Sequence, residues 1–197
     1  MIKTICVFCG SSTGSNPVYA EAAMKLARFL ISEKIRLVYG GANVGLMRIL
    51  ADTMLASGGN VIGIMPKSLV EKEVAHSGLS EMHIVSGMHE RKALMADLSD
   101  AFIALPGAFG TLDELFEVLT WNQLGILHKP VGLLNIHGFF NSLTALLDHA
   151  VDEKFLRPEH RGLLIMEEDE KILLERLNKY IPVTAEKWIE QLKIGKI

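Results

Sequence analysis

Short apolar runs alternate with longer amphipathic segments along most of the chain. Seven apolar runs have the length and composition of buried strands, and they lie at 4–9, 36–39, 60–65, 81–85, 101–105, 131–134 and 163–166. Six segments repeat apolar residues at helical spacing, at 17–34, 46–57, 88–98, 111–124, 139–153 and 169–180. Residues 67–80 are mixed and polar, so we expect a loop with a short helix there. Strands that alternate with helices of this length predict an α/β fold with a mostly parallel sheet.

The alternation continues without an internal repeat, a low-complexity stretch or a linker. A length of 197 residues fits one α/β domain. We therefore expect a single domain at 1–181 and a weakly helical tail at 182–197.

Composition and charge narrow the possible partners. Hydrophobic residues make up 49% of the chain and charged residues 22%, which argues against disorder. The net charge is −3 and no Lys/Arg block stands out, so we expect no nucleic-acid partner. No apolar run approaches the ~18 residues of a membrane span. The first residues, MIKTICVFCGSS, have the pattern of a strand rather than of a signal peptide. Together these features predict a cytoplasmic protein with no membrane partner.

The two cysteines, Cys6 and Cys9, have the C-x-x-C spacing of some redox and metal sites. They belong to a predicted strand, on which positions i and i+3 point to opposite faces. We therefore expect two buried structural thiols that neither pair nor share a metal. The seven histidines show no zinc-ligand spacing, so we expect no metal site.

Glycine-rich turns follow three of the predicted strands. Their sequences are CGSSTGSNP at 9–17, YGGANVGLM at 39–47 and LPGAFGTLDE at 105–114. Parallel sheets bind ligands at the carboxyl ends of their strands, and three such turns favour a ligand approached by the backbone. Neither the dinucleotide fingerprint nor the Walker A pattern is present, so a smaller phosphorylated ligand is favoured.

The turn at 105–114 carries the most specific pattern. Gly107 and Gly110 let the backbone turn tightly, and Thr111 opens a helix whose N-terminus favours an anion. On spacing alone, Thr111 and Glu114 form a capping box in which Glu114 bonds back to the backbone. Asp113, Glu114 and Glu117 would repel a phosphate if they pointed at it. A ligand with its phosphate at the turn and an electron-poor carbon near Glu114 would resolve that conflict.

Two further segments contribute candidate side chains. Ser11 and Ser12 are expected to donate hydroxyls to a ligand, although they also fit a simple turn, or a nucleophile elbow centred on Ser12. On a helix, Met88, Arg91 and Met95 share one face, which could hold a flat base and meet an anion. Taken alone, that segment fits equally well a helix whose Arg91 is merely solvated.

At these motifs the chain resembles the LOG family, the cytokinin riboside 5′-monophosphate phosphoribohydrolases, long mislabelled as lysine decarboxylases. The family's marks are P-G-G-x-G-T-x-x-E and an upstream M-H-x-R-K. This chain has PGAFGTLDE at 106–114 and MHERK at 88–92. The likeness extends to CGSS at 9–12, GGANVGLM at 40–47, VIGIMP at 61–66 and KPVGLLN at 129–135, and it covers most of residues 4–165.

The resemblance implies a Rossmann-like three-layer sandwich that forms a homodimer. It also implies hydrolysis of the N-glycosidic bond of adenine-type nucleoside 5′-monophosphates, to free base and ribose 5-phosphate, with no cofactor. The catalytic pair would be Arg91 and Glu114, and the phosphate would be held by Gly107, Ala108, Phe109, Gly110 and Thr111. Ser11 and Ser12 would add phosphate contacts. By position, further substrate contacts would come from Glu73, Lys92 and Thr120. Met88 and Asp113, which belong to the two motifs, are further candidate substrate contacts.

Chemistry suggests how such a pair would act. Glycosidic cleavage builds positive charge at the ribose C1′, which a carboxylate such as Glu114 stabilises. Arg91 would keep that carboxylate ionised. The acid that protonates the leaving base is not identified by the sequence, with Glu90 or solvent as candidates. One departure from the family pattern stands out: Ala108 replaces a glycine, and if that position needed φ > 0 the alanine would cost about 1 kcal/mol.

Three other functions remain open at this point. The same fold includes carriers of the molybdenum cofactor, for which the phosphate loop would serve equally. A pyridoxal phosphate-dependent lysine decarboxylase would need Lys92 as its Schiff-base lysine. A non-catalytic nucleotide sensor is the third.

Overall fold

A computed structural model of the chain describes residues 1–72 and 74–182. The strands in these residues are β1 (Thr4–Phe8), β2 (Arg36–Tyr39), β3 (Val61–Pro66), β4 (Glu81–Val85), β5 (Ala101–Ala104), β6 (Val131–Leu134) and β7 (Leu164–Glu167). The helices are α1 (Val18–Ser32), α2 (Gly45–Ala56), α3 (Lys67–Val70), α4 (Met88–Leu98), α5 (Phe109–Gln123), α6 (Asn141–Asp152), α7 (Pro158–Arg161) and α8 (Glu170–Asn178). No helix in this part of the chain is long and apolar enough to cross a membrane.

The strands form one parallel sheet in the order β4-β3-β2-β1-β5-β6-β7. Strands β2, β3 and β4 are added in sequence on one side of β1, and β5, β6 and β7 are added in sequence on its other side. The point between β1 and β5 is therefore the topological switch point, outside which ligands bind in open α/β sheets. The predicted α/β fold with its parallel sheet and flanking helices is confirmed.

Two apolar cores lie on the two faces of the sheet, and β1 contributes alternate residues to each. Ile5, Val7 and Cys9 pack with residues of α1, α2 and α8. Cys6 and Phe8 pack with residues of α4 and α5 on the opposite face. Cys6 and Cys9 are buried and free, and burial raises the pKa of both thiols. The expectation of two diverging structural thiols is confirmed.

Most element bounds agree with the sequence pattern to within one or two residues, and the differences are local. Helix α5 begins at Phe109 rather than at Thr111. A 3-10 turn at Ile136–Gly138 precedes α6, which starts at Asn141 instead of 139. The short helix α7 was not predicted. The tail predicted at 182–197 lies, from residue 183 onward, outside the described residues.

The three glycine-rich turns meet at the carboxyl edge of the sheet, around Gly10. The N–H of Gly10 donates to the carbonyl of Pro106 (3.0 Å), and its own carbonyl accepts from the N–H of Leu46 (3.1 Å). Gly45 has φ +55°, and a Cβ there would lie 2.3 Å from the carbonyl carbon of Ser11. Glycine at 45 thus allows both the left-handed backbone and the close approach of two turns.

Candidate active site

A buried ion pair joins α4 to α5 at this edge. Nη1 of Arg91 donates to Oε1 of Glu114 at 2.7 Å, and the two side chains are only 9% and 12% exposed. Nε of Arg91 also donates to the carbonyl oxygen of Ile64 in β3 (3.0 Å). The structure therefore brings together the two residues predicted to form a catalytic pair, from segments 23 residues apart.

This geometry overturns two of the alternative interpretations. The capping box is wrong, because Thr111 lies inside the first turn of α5, the N-cap is Ala108 without a side-chain bond, and Glu114 faces Arg91. The solvated-face interpretation is wrong for Arg91, which is one of the most buried residues of α4.

Opposing effects act on the Glu114 carboxyl. Burial raises its pKa, and the charge and hydrogen bond of Arg91 lower it, with the net result that the pKa is raised above the ordinary value. A carboxylate that is desolvated yet paired with a cation is a feature of functional sites.

Lys92 holds a second contact between the same two helices. Its ammonium lies 3.0 Å from Oε1 of Glu117 and 3.2 Å from Oδ2 of Asp113, and its side chain is 12% exposed. Burial lowers the pKa of Lys92, but the hydrogen bonds to Glu117 and Asp113 outweigh burial and the pKa is raised. The ammonium thus stays charged and engaged with α5, which leaves the predicted contact of Lys92 with substrate untested.

A cavity of about 190 Å³ opens over the Arg91–Glu114 pair. It is lined by Cys9, Gly10, Ser11, Met47, Met88, Arg91, Ala108, Gly110, Thr111, Asp113 and Glu114. Met88 is half-exposed at its rim, as expected for a side chain that would contact a base. Cys9, Gly10 and Met47 are not among the predicted site residues, although they belong to the motifs CGSS and GGANVGLM.

The start of α5 presents unpaired N–H groups to this cavity. Among the described residues, the N–H groups of Phe109, Gly110 and Thr111 have no hydrogen-bond acceptor, and the first helical bond runs from Leu112 to Ala108. Such a helix start is suited to an anion. Ala108 has φ −112° and ψ −141°. The residue is therefore not in the left-handed region, and the expected cost of alanine in place of the family glycine does not arise.

Ser11 and Ser12 lie in the turn after β1, and both are exposed. Ser11 lines the cavity over the ion pair and also a neighbouring cavity of about 240 Å³. Ser12 lines only the latter of these two, and its Oγ accepts from the N–H of Gly14 at 3.3 Å. Because α1 begins only at Val18, the sharp strand-to-helix turn of a nucleophile elbow is not formed at Ser12.

Two predicted contacts lie elsewhere. Thr120 lines an open groove along α5 with Phe109, Phe116 and Trp121, away from the ion pair, and its hydroxyl donates to the carbonyl of Phe116. Glu73 lies outside the described residues. No group of three or more His, Cys, Asp or Glu side chains suited to a metal ion occurs in residues 1–72 and 74–182.

Comparisons with known proteins show which family the chain resembles. A family model described as "possible lysine decarboxylase" matches residues 47–177. The chain is 47% identical over 197 residues to cytokinin riboside 5′-monophosphate phosphoribohydrolase LOG1 of Arabidopsis thaliana, covering 98% of this chain and 92% of the relative. It is 49% identical over 180 residues to the LOG7 protein of the same plant, covering 91% and 83%.

Solved structures show the same fold at lower identity. A molybdenum cofactor binding protein from Rippkaea orientalis superimposes with a TM-score of 0.68 at 23% identity, covering 91% of this chain and 97% of that one. A molybdenum cofactor carrier protein from Chlamydomonas reinhardtii does so with a TM-score of 0.67 at 18% identity, covering 91% and 100%. At these identities the likeness concerns the fold alone.

Proposed function

This chain belongs to the LOG family of cytokinin riboside 5′-monophosphate phosphoribohydrolases, and we propose that it hydrolyses the N-glycosidic bond of adenine-type nucleoside 5′-monophosphates. Substrates would be cytokinin riboside 5′-monophosphates and AMP, and products the free base and ribose 5-phosphate. The observation that carries the proposal is the buried Arg91–Glu114 pair beside the unpaired first turn of α5.

The proposed binding mode follows from the positive end of the α5 dipole and the negative carboxylate of Glu114. The 5′-phosphate would accept from the N–H groups at the start of α5, where the helix dipole favours an anion. Glu114 lies five residues further along the helix from Phe109, or about 7.5 Å at 1.5 Å per residue. That separation suits a ribose held by its phosphate at one end, with C1′ toward the carboxylate.

In the proposed reaction the bond between C1′ and the base nitrogen breaks, and its electron pair leaves with the base. Water adds its oxygen to C1′, and one of its protons ends on the base. The Glu114 carboxylate stabilises the positive charge at C1′ and orients the water. Burial disfavours the ionised form of that carboxylate, and the charge and hydrogen bond of Arg91 oppose this effect.

The proton for the leaving base is not expected from Glu90. This carboxylate is exposed and accepts from both the N–H and the hydroxyl of Ser86. Those hydrogen bonds lower the pKa of Glu90, so it is a poor acid near neutral pH. Water reaching the cavity is the better proton source.

Two alternatives are less well supported. A Schiff-base lysine must be a neutral amine, and the raised pKa of Lys92 works against that role. A molybdenum cofactor carrier is favoured only by structures that share the fold at 18–23% identity, whereas the relatives at 47–49% identity are phosphoribohydrolases.

We further propose that the protein is a cytoplasmic homodimer. The groove along α5 has a volume of about 530 Å³ and exposes aromatic surface, with Phe109 91% exposed. Apolar surface of this kind marks an interaction site, and a second copy of this chain is its proposed occupant. Sedimentation should give a dimer for the wild type and a monomer for Phe116→Glu; a monomeric wild type would contradict the proposal.

Product analysis tests the enzymatic function. Purified protein is incubated with AMP or isopentenyladenosine 5′-monophosphate, and free base is measured by chromatography. We expect base release by the wild type and a loss of about 10²–10⁴-fold in Glu114→Gln. Glu117→Gln makes the same chemical change on the same helix outside the cavity over the ion pair, and it should retain activity. Absence of base from both substrates, or full activity of Glu114→Gln, would refute the proposal.

A further inference from the structure

The guanidinium of Arg91 lies against the main chain at Gly40, immediately after β2. A Cβ built on Gly40 would be 2.1 Å from Nη2 of Arg91 and 3.3 Å from its Cζ. No real Cβ tolerates the shorter distance, so the arginine occupies the space that any side chain at position 40 would need.

The backbone does not require glycine at this position. Gly41 and Gly45 have positive φ, whereas Gly40 does not. The neighbour that a side chain at position 40 would meet is also not free to move aside. Arg91 is fixed by its hydrogen bonds to the carbonyl of Ile64 and to Glu114, and it is 8% exposed.

Those bonds use Nε and Nη1 and leave the third guanidinium nitrogen available. Within the described residues, Nη2 has no hydrogen-bond acceptor, and Arg91 lines the cavity over the ion pair. The nitrogen that approaches Gly40 is therefore also the one free to donate to a ligand.

We propose that Gly40 is a positioning residue for substrate binding and hydrolysis. Its missing side chain sets the place of the Arg91 guanidinium, so that Nη1 stays on Glu114 while Nη2 is free to donate to the nucleotide. This inference rests on the proposed function, since it assigns the space at Gly40 to the same site.

The size of the effect follows from the distance. To restore ordinary contact with an added methyl group, the guanidinium or the strand end would have to shift by roughly 1 Å or more, and a displacement of that size costs about 10²-fold in rate. We therefore expect Gly40→Ala to lower kcat/KM for AMP about 100-fold.

The matched control is Gly87→Ala. Gly87 is the N-cap of α4, the helix that carries Arg91; its φ is −160°, and a Cβ there meets no atom within 4 Å. This variant should retain kcat/KM within about twofold. Equal losses in the two variants would overturn the proposal, because they would reflect a general response to alanine near α4.

The pH profile separates positioning from a general structural effect. Arg91 lowers the pKa of Glu114, so displacing the guanidinium raises that pKa. The acidic limb of kcat/KM should then move to higher pH in Gly40→Ala and stay in place in Gly87→Ala. A loss of activity in Gly40→Ala without this movement would contradict a role exerted through Arg91.

A double-variant cycle covers the case in which Gly40→Ala folds poorly. The clash is with the guanidinium, so Gly40→Ala should lower Tm in the wild-type background and have little effect in an Arg91→Ala background. An equal fall in Tm in both backgrounds would overturn the proposal.

Calorimetric titration with AMP distinguishes a failure of the positioning role from a failure of the proposed hydrolysis. If the wild type binds AMP but releases no base, the proposed function fails. The positioning role then still predicts weaker AMP binding in Gly40→Ala and unchanged binding in Gly87→Ala. If the affinity of Gly40→Ala is unchanged, positioning fails whatever the turnover.

Discussion

A substitution in the first turn of α5 can remove one of the N–H groups proposed to bind the phosphate. Phe109 is the first residue of the helix, where proline is tolerated because its fixed φ suits the helix and its N–H has no intrahelical partner. The preceding residue, Ala108, has a non-helical backbone, and proline disfavours helical backbone in the residue before it. Phe109→Pro should therefore keep the helix and delete one N–H.

The expected magnitude follows from the charge of the acceptor. A hydrogen bond to a charged group contributes about 1.5–3 kcal/mol. At 1.36 kcal/mol per factor of ten, its loss lowers kcat/KM for AMP by roughly 10- to 150-fold. The side chain itself is 91% exposed, so its removal from a single chain costs little packing.

The assay compares Phe109→Pro with Phe109→Ala, which loses the same ring and keeps the N–H. Steady-state kinetics with AMP should show the fall only in the proline variant. Inhibition by ribose 5-phosphate should weaken by a similar factor, whereas inhibition by free adenine should not change. If the two variants behave alike toward AMP and ribose 5-phosphate, the phosphate does not bind at the start of α5.

Three other predictions concern single groups. Burial raises the pKa of Glu114, and in the proposed mechanism only the ionised form acts, so kcat/KM should fall on the acid side at a pH above the ordinary carboxyl range. Arg91→Gln removes the charge that lowers this pKa and should move the acidic limb of its remaining activity to higher pH. An acidic limb that does not move would show that another group titrates. Ala108→Gly should change KM for AMP by less than about twofold in steady-state kinetics, since φ at this position is −112°. A large gain in affinity would mean that alanine distorts the turn. Tyr39→Phe should raise the unfolding free energy by about 1 kcal/mol, because the buried Tyr39 hydroxyl has no hydrogen-bond partner among the described residues. Urea denaturation measures this change, and a loss of stability would point to an unrecognised partner.

The strands were predictable because the sheet is parallel and covered on both faces. Strands such as β1 and β5 are short apolar runs followed within two residues by glycine or proline, and such runs can be recognised from the sequence alone. Boundaries depend on less visible features. The start of α5 was missed because its N-cap is an alanine and its second residue a glycine, neither of which signals a helix start.

The sequence supplied the candidate residues of the site, but it could not show the contacts between them. Arg91 and Glu114 were identified from motifs, but T-x-x-E also has the spacing of a capping box, and only the position of Thr111 within the helix distinguishes the two. The approach of Arg91 to Gly40 joins residues 51 positions apart in sequence, and no local pattern shows why glycine is needed there. The space at Gly40 that Arg91 occupies is formed only when the chain folds.

The acidic residues of α5 pose an electrostatic problem that α4 resolves. Asp113, Glu114 and Glu117 follow closely on a helix start proposed to bind phosphate, and unpaired they would repel it. Arg91 pairs with Glu114, and Lys92 pairs with both Asp113 and Glu117. The adjacent cations of α4 thus allow one helix to carry both the proposed anion-binding end and the proposed catalytic carboxylate within about one and a half turns. Because these ion pairs join the motif at 88–92 to the helix that follows the turn at 106–110, the proposed function requires both motifs together.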